Sequence, residues 1–508
     1  MFQPKFSRFL FLPFALIVIL GGMVFGQPVA KPSPSPTTEQ SKTQPPEIRQ
    51  TFLRTRDKVV NVSDQTVALM ESGEQMLKDR RFSDALAVFT KVIQGNPNFD
   101  IAYNNRGYCH NEMGNRDLAI KDYNTSLKIN PRSSLAYSNR GMTRSQTGEF
   151  ALALADFNKS IEINPKDSLV YNNRADLHSR MNNLDLALID QNKAIAMLPS
   201  EAVYYSNRGF TYFKKGLTDK AIEDYTQAIR LNPNLAIAHN NRGQAYILKQ
   251  RPEEAFADLN RASELNPNLE ASYILRGDLH RINGKYEMAI EQYSRAIKIN
   301  PDFFFAFNNR GMSYHALQKD DLALVDLNKA LEINPGESAV YVNRSSVYIR
   351  PNDYENALKD LDRAVSLNNR LSVAYANRAV VYFNTKEFEK GKKDLTQAIA
   401  IEPSADLYSL KAQINTQLQN FEEARQDFGK AIELAPNSPL ARNNRGVFYL
   451  DRRNFENALA DLNKAIELDP KMLVAYRNRM TLYQNTGQTD KAKNDAKTIE
   501  KLEAEQLK

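Results

Sequence analysis

The stretch YSNRGFTYFKKGLTDKAIEDYTQAIRLNP, residues 205–233, decides the fold. Its spaced small and aromatic residues are Tyr205, Gly209, Tyr212, Ala221, Tyr225 and Ala228, and it closes on Pro233. That proline returns every 34 residues, at Pro97, Pro131, Pro165, Pro199, Pro233, Pro267, Pro301 and Pro335, and then at Pro403, Pro436 and Pro470. Asn-Arg-Gly recurs in step with it, at Asn105-Arg106-Gly107, Asn139-Arg140-Gly141, Asn207-Arg208-Gly209, Asn241-Arg242-Gly243, Asn309-Arg310-Gly311 and Asn444-Arg445-Gly446. A fixed period of this length predicts a solenoid, in which each unit packs only on its neighbours.

Residues 100–130 show what one unit holds. Ala102, Tyr103, Gly107, His110 and Met113 mark one amphipathic helix, Gly114-Asn115 breaks it, and Leu118, Ala119, Tyr123 and Leu127 form the stripe of a second. Asn130-Pro131 ends that helix, because the residue before a proline avoids the α region. Helices of about a dozen residues do not hold alone in water, so the pairs must be stabilised by stacking. Glycine in mid-helix costs about 1 kcal/mol relative to alanine. Its return at Gly107, Gly141, Gly209, Gly243, Gly277, Gly311 and Gly446 predicts close approach of a neighbouring helix. Ala175, Ser345, Ala379 and Ala412 fill the same slot elsewhere, and Ala119, Ala187, Ala221, Ala255, Ala289, Ala323, Ala357, Ala424 and Ala458 repeat it on the second helix.

This pattern resembles the tetratricopeptide repeat (TPR) family, whose signature runs aromatic, Asn-Leu-Gly, tyrosine, alanine, aromatic, alanine, proline. The resemblance covers about thirteen units over residues 63–508. It implies an all-α, right-handed superhelical solenoid of antiparallel helix pairs, with a concave groove lined mainly by each first helix. Some units depart from the pattern. Ser72 stands where the arginine is expected, Asn369 replaces a boundary proline, and the unit from Pro403 is one residue short, which makes it the candidate for a bend. The last helix, from Thr489, is rich in lysine and glutamate and reads as a polar cap.

Arginine stands where the family usually has leucine, and a carboxylate follows sixteen residues on. The pairs include Arg106 with Asp122, Arg140 with Asp156, Arg174 with Asp190, Arg208 with Asp224, Arg242 with Asp258 and Arg310 with Asp326. Arg344 with Asp360, Arg378 with Asp394, Arg445 with Asp461 and Arg479 with Asp495 continue the series, Lys411 faces Asp427, and Arg276 faces Gln292 as a half-exception. Ser72 and Val88 lose both charges together, which argues for pairing. These read as structural ion pairs that set register, with a partner eighteen residues back as the alternative. The competing reading is an arginine ladder for anionic ligands.

The asparagine before each arginine forms a second set: Asn105, Asn139, Asn173, Asn207, Asn241, Asn309, Asn343, Asn377, Asn444 and Asn478. An amide offers both donor and acceptor, so it can match a peptide backbone or tie neighbouring helices together. Its slot resembles the asparagine ladder in the TPR arm of O-GlcNAc transferases, which implies peptide binding. The resemblance also carries groove positions onto Tyr108, Phe210, Phe213, Gln244, Ile247, Met312, His315, Val380, Phe383, Val447 and Leu450. These are mostly apolar or neutral, so the basic clamp that holds chaperone C-termini is not expected. An apolar groove suits an extended peptide or a partner helix, or packs in part on its own second helices.

No catalytic, cofactor-binding or metal-binding set stands out. His110, His178 and His280 occupy the tyrosine slot and His239 the first aromatic slot, and no two histidines have ligand spacing. The net charge is +7, but residues 1–63 carry +5 of it, so the repeats lack the basic stripe of a nucleic-acid binder. Cys109 is the single cysteine, which rules out an intrachain disulfide.

Lys5 and Arg8 precede the 17-residue apolar run from Phe9 to Phe25, an export signal (residues 1–26) ending at Val24-Phe25-Gly26, or an uncleaved membrane anchor. Residues 27–62 read as a proline-rich linker, with Ile48, Phe52 and Val59 marking an N-terminal cap. The sequence predicts a non-enzymatic scaffold outside the cytoplasm, periplasmic, secreted or anchored, that binds a protein or peptide partner. The alternative is an accessory subunit that brings partners to a separate envelope enzyme or secretion complex.

Overall fold

The computed structural model describes residues 64–506; the expected leader, linker and N-terminal cap lie outside them. The described chain is all-α and separates into two stacks. The first holds α1 (Asp64–Lys78), α2 (Phe82–Gly95), α3 (Asp100–Glu112), α4 (Arg116–Ile129), α5 (Ser134–Thr147), α6 (Phe150–Ile163), α7 (Ser168–Arg180), α8 (Leu184–Met197), α9 (Ala202–Lys214), α10 (Thr218–Leu231), α11 (Ala236–Leu248), α12 (Pro252–Leu265) and α13 (Glu270–Ile282). The second holds α14 (Tyr286–Ile299), α15 (Phe304–Ala316), α16 (Asp320–Ile333), α17 (Ser338–Ile349), α18 (Tyr354–Leu367), α19 (Ser372–Asn384), α20 (Phe388–Ile401), α21 (Ala405–Gln417), α22 (Phe421–Leu434), α23 (Pro439–Asp451), α24 (Phe455–Leu468), α25 (Leu473–Asn485) and α26 (Thr489–Gln506). Odd-numbered helices are the first of each pair and even-numbered ones the second.

The periodic residues are the packing. Tyr123, Tyr225, Phe157 and Phe428 on second helices are almost fully buried. Each lies across the pair from a small residue. A Cβ on Gly107 would sit 2.8 Å from Tyr123 Cε1, and one on Gly209 would sit 2.8 Å from Tyr225 Cε1. The ring therefore occupies the volume a larger side chain would take, which is why the slot tolerates glycine in mid-helix.

Two turns recur. Between the helices of a pair, one residue takes the left-handed conformation, as Gly114, Gly148 and Gly216 but also as Gln250, Gln318 and Lys386. Between pairs, the asparagine before the proline accepts a hydrogen bond from the N–H two residues on, as Asn130 does from Arg132 and Asn232 from Asn234. Asn368 makes the same bond to Arg370, so Asn369 keeps the turn without proline.

In the short unit only residues 402–404 separate α20 from α21, and Ser404 Oγ caps α21 by accepting from the Leu407 N–H at 3.3 Å. The missing residue is thus absorbed by the connection. Leu118 and Met113 correct the sequence reading: both are nearly half exposed, because they lie on outer surfaces of their pair rather than in the stripe. The polar final helix still buries Ala492, Asp495 and Ile499 on one side.

Candidate functional site

The arginines are built into the stack. Arg242 donates from Nε and Nη2 to both carboxylate oxygens of Asp258, at 2.7 and 2.8 Å. The same fork joins Arg106 to Asp122, Arg140 to Asp156, Arg208 to Asp224 and Arg310 to Asp326, at 2.6–2.9 Å. The aspartates are nearly buried and the arginines about four-fifths so. Burial pushes the Asp258 carboxyl up, but the bonds from Arg242 and His239 outweigh it and hold the group below the usual carboxylate range. Arg276 Nη1 donates to Ser263 Oγ at 3.2 Å.

A third donor on most of these arginines was not legible as such. Nη1 reaches back sixteen residues to the preceding pair: Arg140 to Asn124 (2.6 Å), Arg174 to Asn158 (2.7 Å), Arg208 to Asn192 (2.8 Å) and Arg242 to Thr226 (3.1 Å). Arg310, Arg344 and Arg479 reach Ser294, Asn328 and Asn463 in the same way. This corrects the alternative partner eighteen residues back. The available signal was a repeat-spaced asparagine directly after the buried core residue, as in Tyr123-Asn124 and Phe157-Asn158. The guanidinium also lies over a ring three residues earlier, Tyr137 at 5.5 Å for Arg140. An arginine so engaged joins three helices and has little left for an anion.

Half of the ten asparagines bridge neighbouring first helices. Asn139 Nδ2 donates to Asn104 Oδ1 of the preceding pair at 3.0 Å, and Asn104 donates to Asn105 at 3.1 Å. Asn207 donates to Asn172, Asn343 to Asn308 and Asn478 to Asn443, each at 2.9 Å. Asn240 Nδ2 donates to Asn241 Oδ1, Asn443 Nδ2 to Asn444 Oδ1 at 3.4 Å, and Asn377 Nδ2 to Ser346 Oγ at 3.5 Å. Of the ten asparagines that precede the arginine slot, all are buried except Asn173 and Asn309, which are half-buried.

Of the apolar groove positions, Phe213, Ile247, Met312 and Phe383 are half-buried, while Phe210, Tyr108, Gln244, Val380, Val447 and Leu450 are buried. His315 is also buried. Its Nδ1 lies 2.7 Å from Asp320 Oδ1, and Arg350 donates to that oxygen at 2.9 Å and to the His315 carbonyl at 2.8 Å. Burial pulls the His315 imidazole below its usual range. His239 lies 3.0 Å from Asp258, adding a third bond to that carboxylate. Among the described residues no three His, Cys, Asp or Glu side chains gather as a metal site, and no helix is long and apolar enough to cross a membrane.

Tetratricopeptide repeat models match residues 101–133, 134–167, 304–337 and 439–472, with further matches at 157–189, at 236–269 and at 338–370, 372–404 and 405–438. A TPR repeat model matches 209–250 and 277–318. Together they span more than half of the chain. The chain belongs to the tetratricopeptide repeat family. No curated protein matches the sequence. Similar solved structures include yeast Tom70, 20% identical over 84% of this chain and 96% of that one, with a TM-score of 0.39. The APC/C hetero-tetramer Cut9–Hcn1 is 12% identical over 82% and 96%, with a TM-score of 0.46. YrrB, described as a TPR protein with an unusual peptide-binding site, is 29% identical over 36% and 95%, with a TM-score of 0.30. As a TPR protein, the chain is a protein-interaction scaffold.

Proposed function

We propose that this TPR protein works outside the cytoplasm and holds an extended peptide or a partner helix along the first helices of its pairs. The observation that carries this reading is the lining. Phe213 on α9, Ile247 on α11 and Phe383 on α19, each five residues beyond its arginine, and Met312 on α15, two beyond its own, are half-buried apolar side chains with water-accessible surface still to cover. The recurring arginines and most of the asparagines, by contrast, are hydrogen-bonded within the stack. Recognition would then rest on apolar contact with side chains of the ligand. Asn173, a half-buried member of the asparagine set, is the candidate for contact with the ligand's backbone.

A photo-crosslinking residue at Phe213 or Phe383, compared with one at Lys220 or Lys390 on second helices, tests the proposal in the producing cell. Capture from the first two positions alone is expected; equal capture from all four, or capture from second helices alone, would contradict it. Export is read from the leader, and it predicts a mature chain that starts at Gln27, or an intact N-terminus in the membrane fraction. Mass spectrometry of the native protein distinguishes these, and a full-length chain in the cytosol would end the export reading.

A further inference from the structure

The outer faces of the second helices differ along the chain. At the slot of Ile189 on α8, most pairs carry a polar or small residue, such as Lys121, Ala155, Glu223, Ala257, Lys359 or Lys393. Ile189 and Val325 are the large apolar exceptions, 61% and 65% exposed, the highest values among the exposed large apolar side chains of the described residues. Around Ile189 the apolar surface continues. Leu186 is about half exposed on the same helix, and Leu118 on α4 and Leu152 on α6 are equally exposed at the slot of Leu186. Ala151 and Ala155 on α6 and Ala196 on α8 are exposed as well.

The face of α8 is also complementary to itself. Asp185 lies four residues before Ile189 and Lys193 four after it, and both are exposed. Residues spaced by four share a helix face. Two such helices crossing antiparallel at Ile189 therefore set each Asp185 opposite the other's Lys193, with the isoleucines and leucines between them. This is the pattern of a two-fold interface, where one patch meets its own copy. Within the chain, Asp185 takes only the exposed Lys215, and Lys193 Nζ lies 4.4 Å from the centre of the Tyr171 ring. On α16 the same word recurs, from Asp321 through Val325 to Lys329, with Leu322 and, on α14, Met288 about half exposed beside it, but charge flanks it on both sides: Glu287, Glu291 and Arg295 on α14 and Glu355, Lys359 and Arg363 on α18. Beside α8, α10 carries exposed charge at Asp219, Lys220 and Glu223, while α6 presents the exposed Ala151, Leu152 and Ala155 at the slots of Asp185, Leu186 and Ile189.

We propose that a second copy of this chain docks on the outer face of α8, antiparallel and related by a two-fold axis through Ile189. Patches of one or two helices bury less than the roughly 800 Å² per partner of a standard interface. Association is therefore weak, at about 10 μM or above.

Sedimentation equilibrium of the full chain from about 1 to 300 μM covers that range. The parent should shift from monomer to dimer. Ile189→Glu should raise the dissociation constant at least about tenfold, since it places two like charges at the axis. Val325→Glu should leave it unchanged. Lys193→Asp should weaken association, and the reversed pair Asp185→Lys with Lys193→Asp should restore it. Leu186→Glu serves if Ile189→Glu loses its helical circular dichroism. A parent that stays monomeric, association untouched by Ile189→Glu, loss on Val325→Glu, or no recovery in the reversed pair would each overturn the proposal.

Discussion

At the scale of the residue, the arginine that replaces the usual leucine of this family carries the account. Its carboxylate was legible sixteen residues on because both charges repeat and disappear together at Ser72 and Val88. Its second partner was hidden because the acceptor varies, as Asn124, Thr226 or Ser294, and only the position is constant. Removing one member of a buried pair leaves the other charged and unpaired, at a cost of about 3–5 kcal/mol. Arg242→Met should therefore lower the melting temperature, and an unchanged melt would remove the pairing from the account. The sign with pH follows from the depressed Asp258 carboxyl: its stabilisation is present above the unfolded carboxylate range and is lost as pH falls through the lower folded value. Glu74 behaves oppositely. Burial raises its carboxyl to about 7, so its penalty is absent below the unfolded range and grows as pH rises through 7. Glu74→Gln should stabilise the first pair at pH 8 and leave it unchanged at pH 4, as thermal melts at the two pH values can check. Lys386 occupies the left-handed turn position at φ 64°, where other pairs use glycine. Lys386→Gly should stabilise by about 0.5–1 kcal/mol, and a loss on denaturant titration would contradict that.

At the scale of the element, the helix boundaries were legible because proline, asparagine and glycine punctuate every pair. The faces were less so. Leu118 follows helical spacing, yet it lies outside, because a second helix packs through Ala119 and Tyr123 and has little apolar demand on its other side. The asparagines offered two readings from the same amide, and only the position of the preceding pair's Asn104 or Asn172 shows where the hydrogen bonds go. The pair α21–α22 is the weak element. Lys411 gives Asp427 one bond at 3.2 Å in place of a fork, and burial leaves that carboxyl raised. At the next pair, Gly429 stands sixteen residues before Arg445 and has no side chain to accept Nη1. Lys411→Arg should restore the fork and slow amide exchange in α21 and α22; unchanged exchange there would mean that the lysine is not the cause.

At the scale of the whole molecule, the repeat period alone indicated a solenoid, and the family models agree with it over most of the chain. What binds to it was not legible, because the strongest periodic signals turned out to hold the pairs together. Stability in such a stack is a sum of units and of joints between neighbours, and the arginine is the recurring joint. Amide exchange measured by mass spectrometry on the full chain carrying Arg242→Met tests this most directly. Protection should fall in α11 and α12, which hold the fork, and in α10, which holds Thr226, while α3 and α4 keep theirs. Equal loss across α3 to α12, or no loss in any of them, would contradict it.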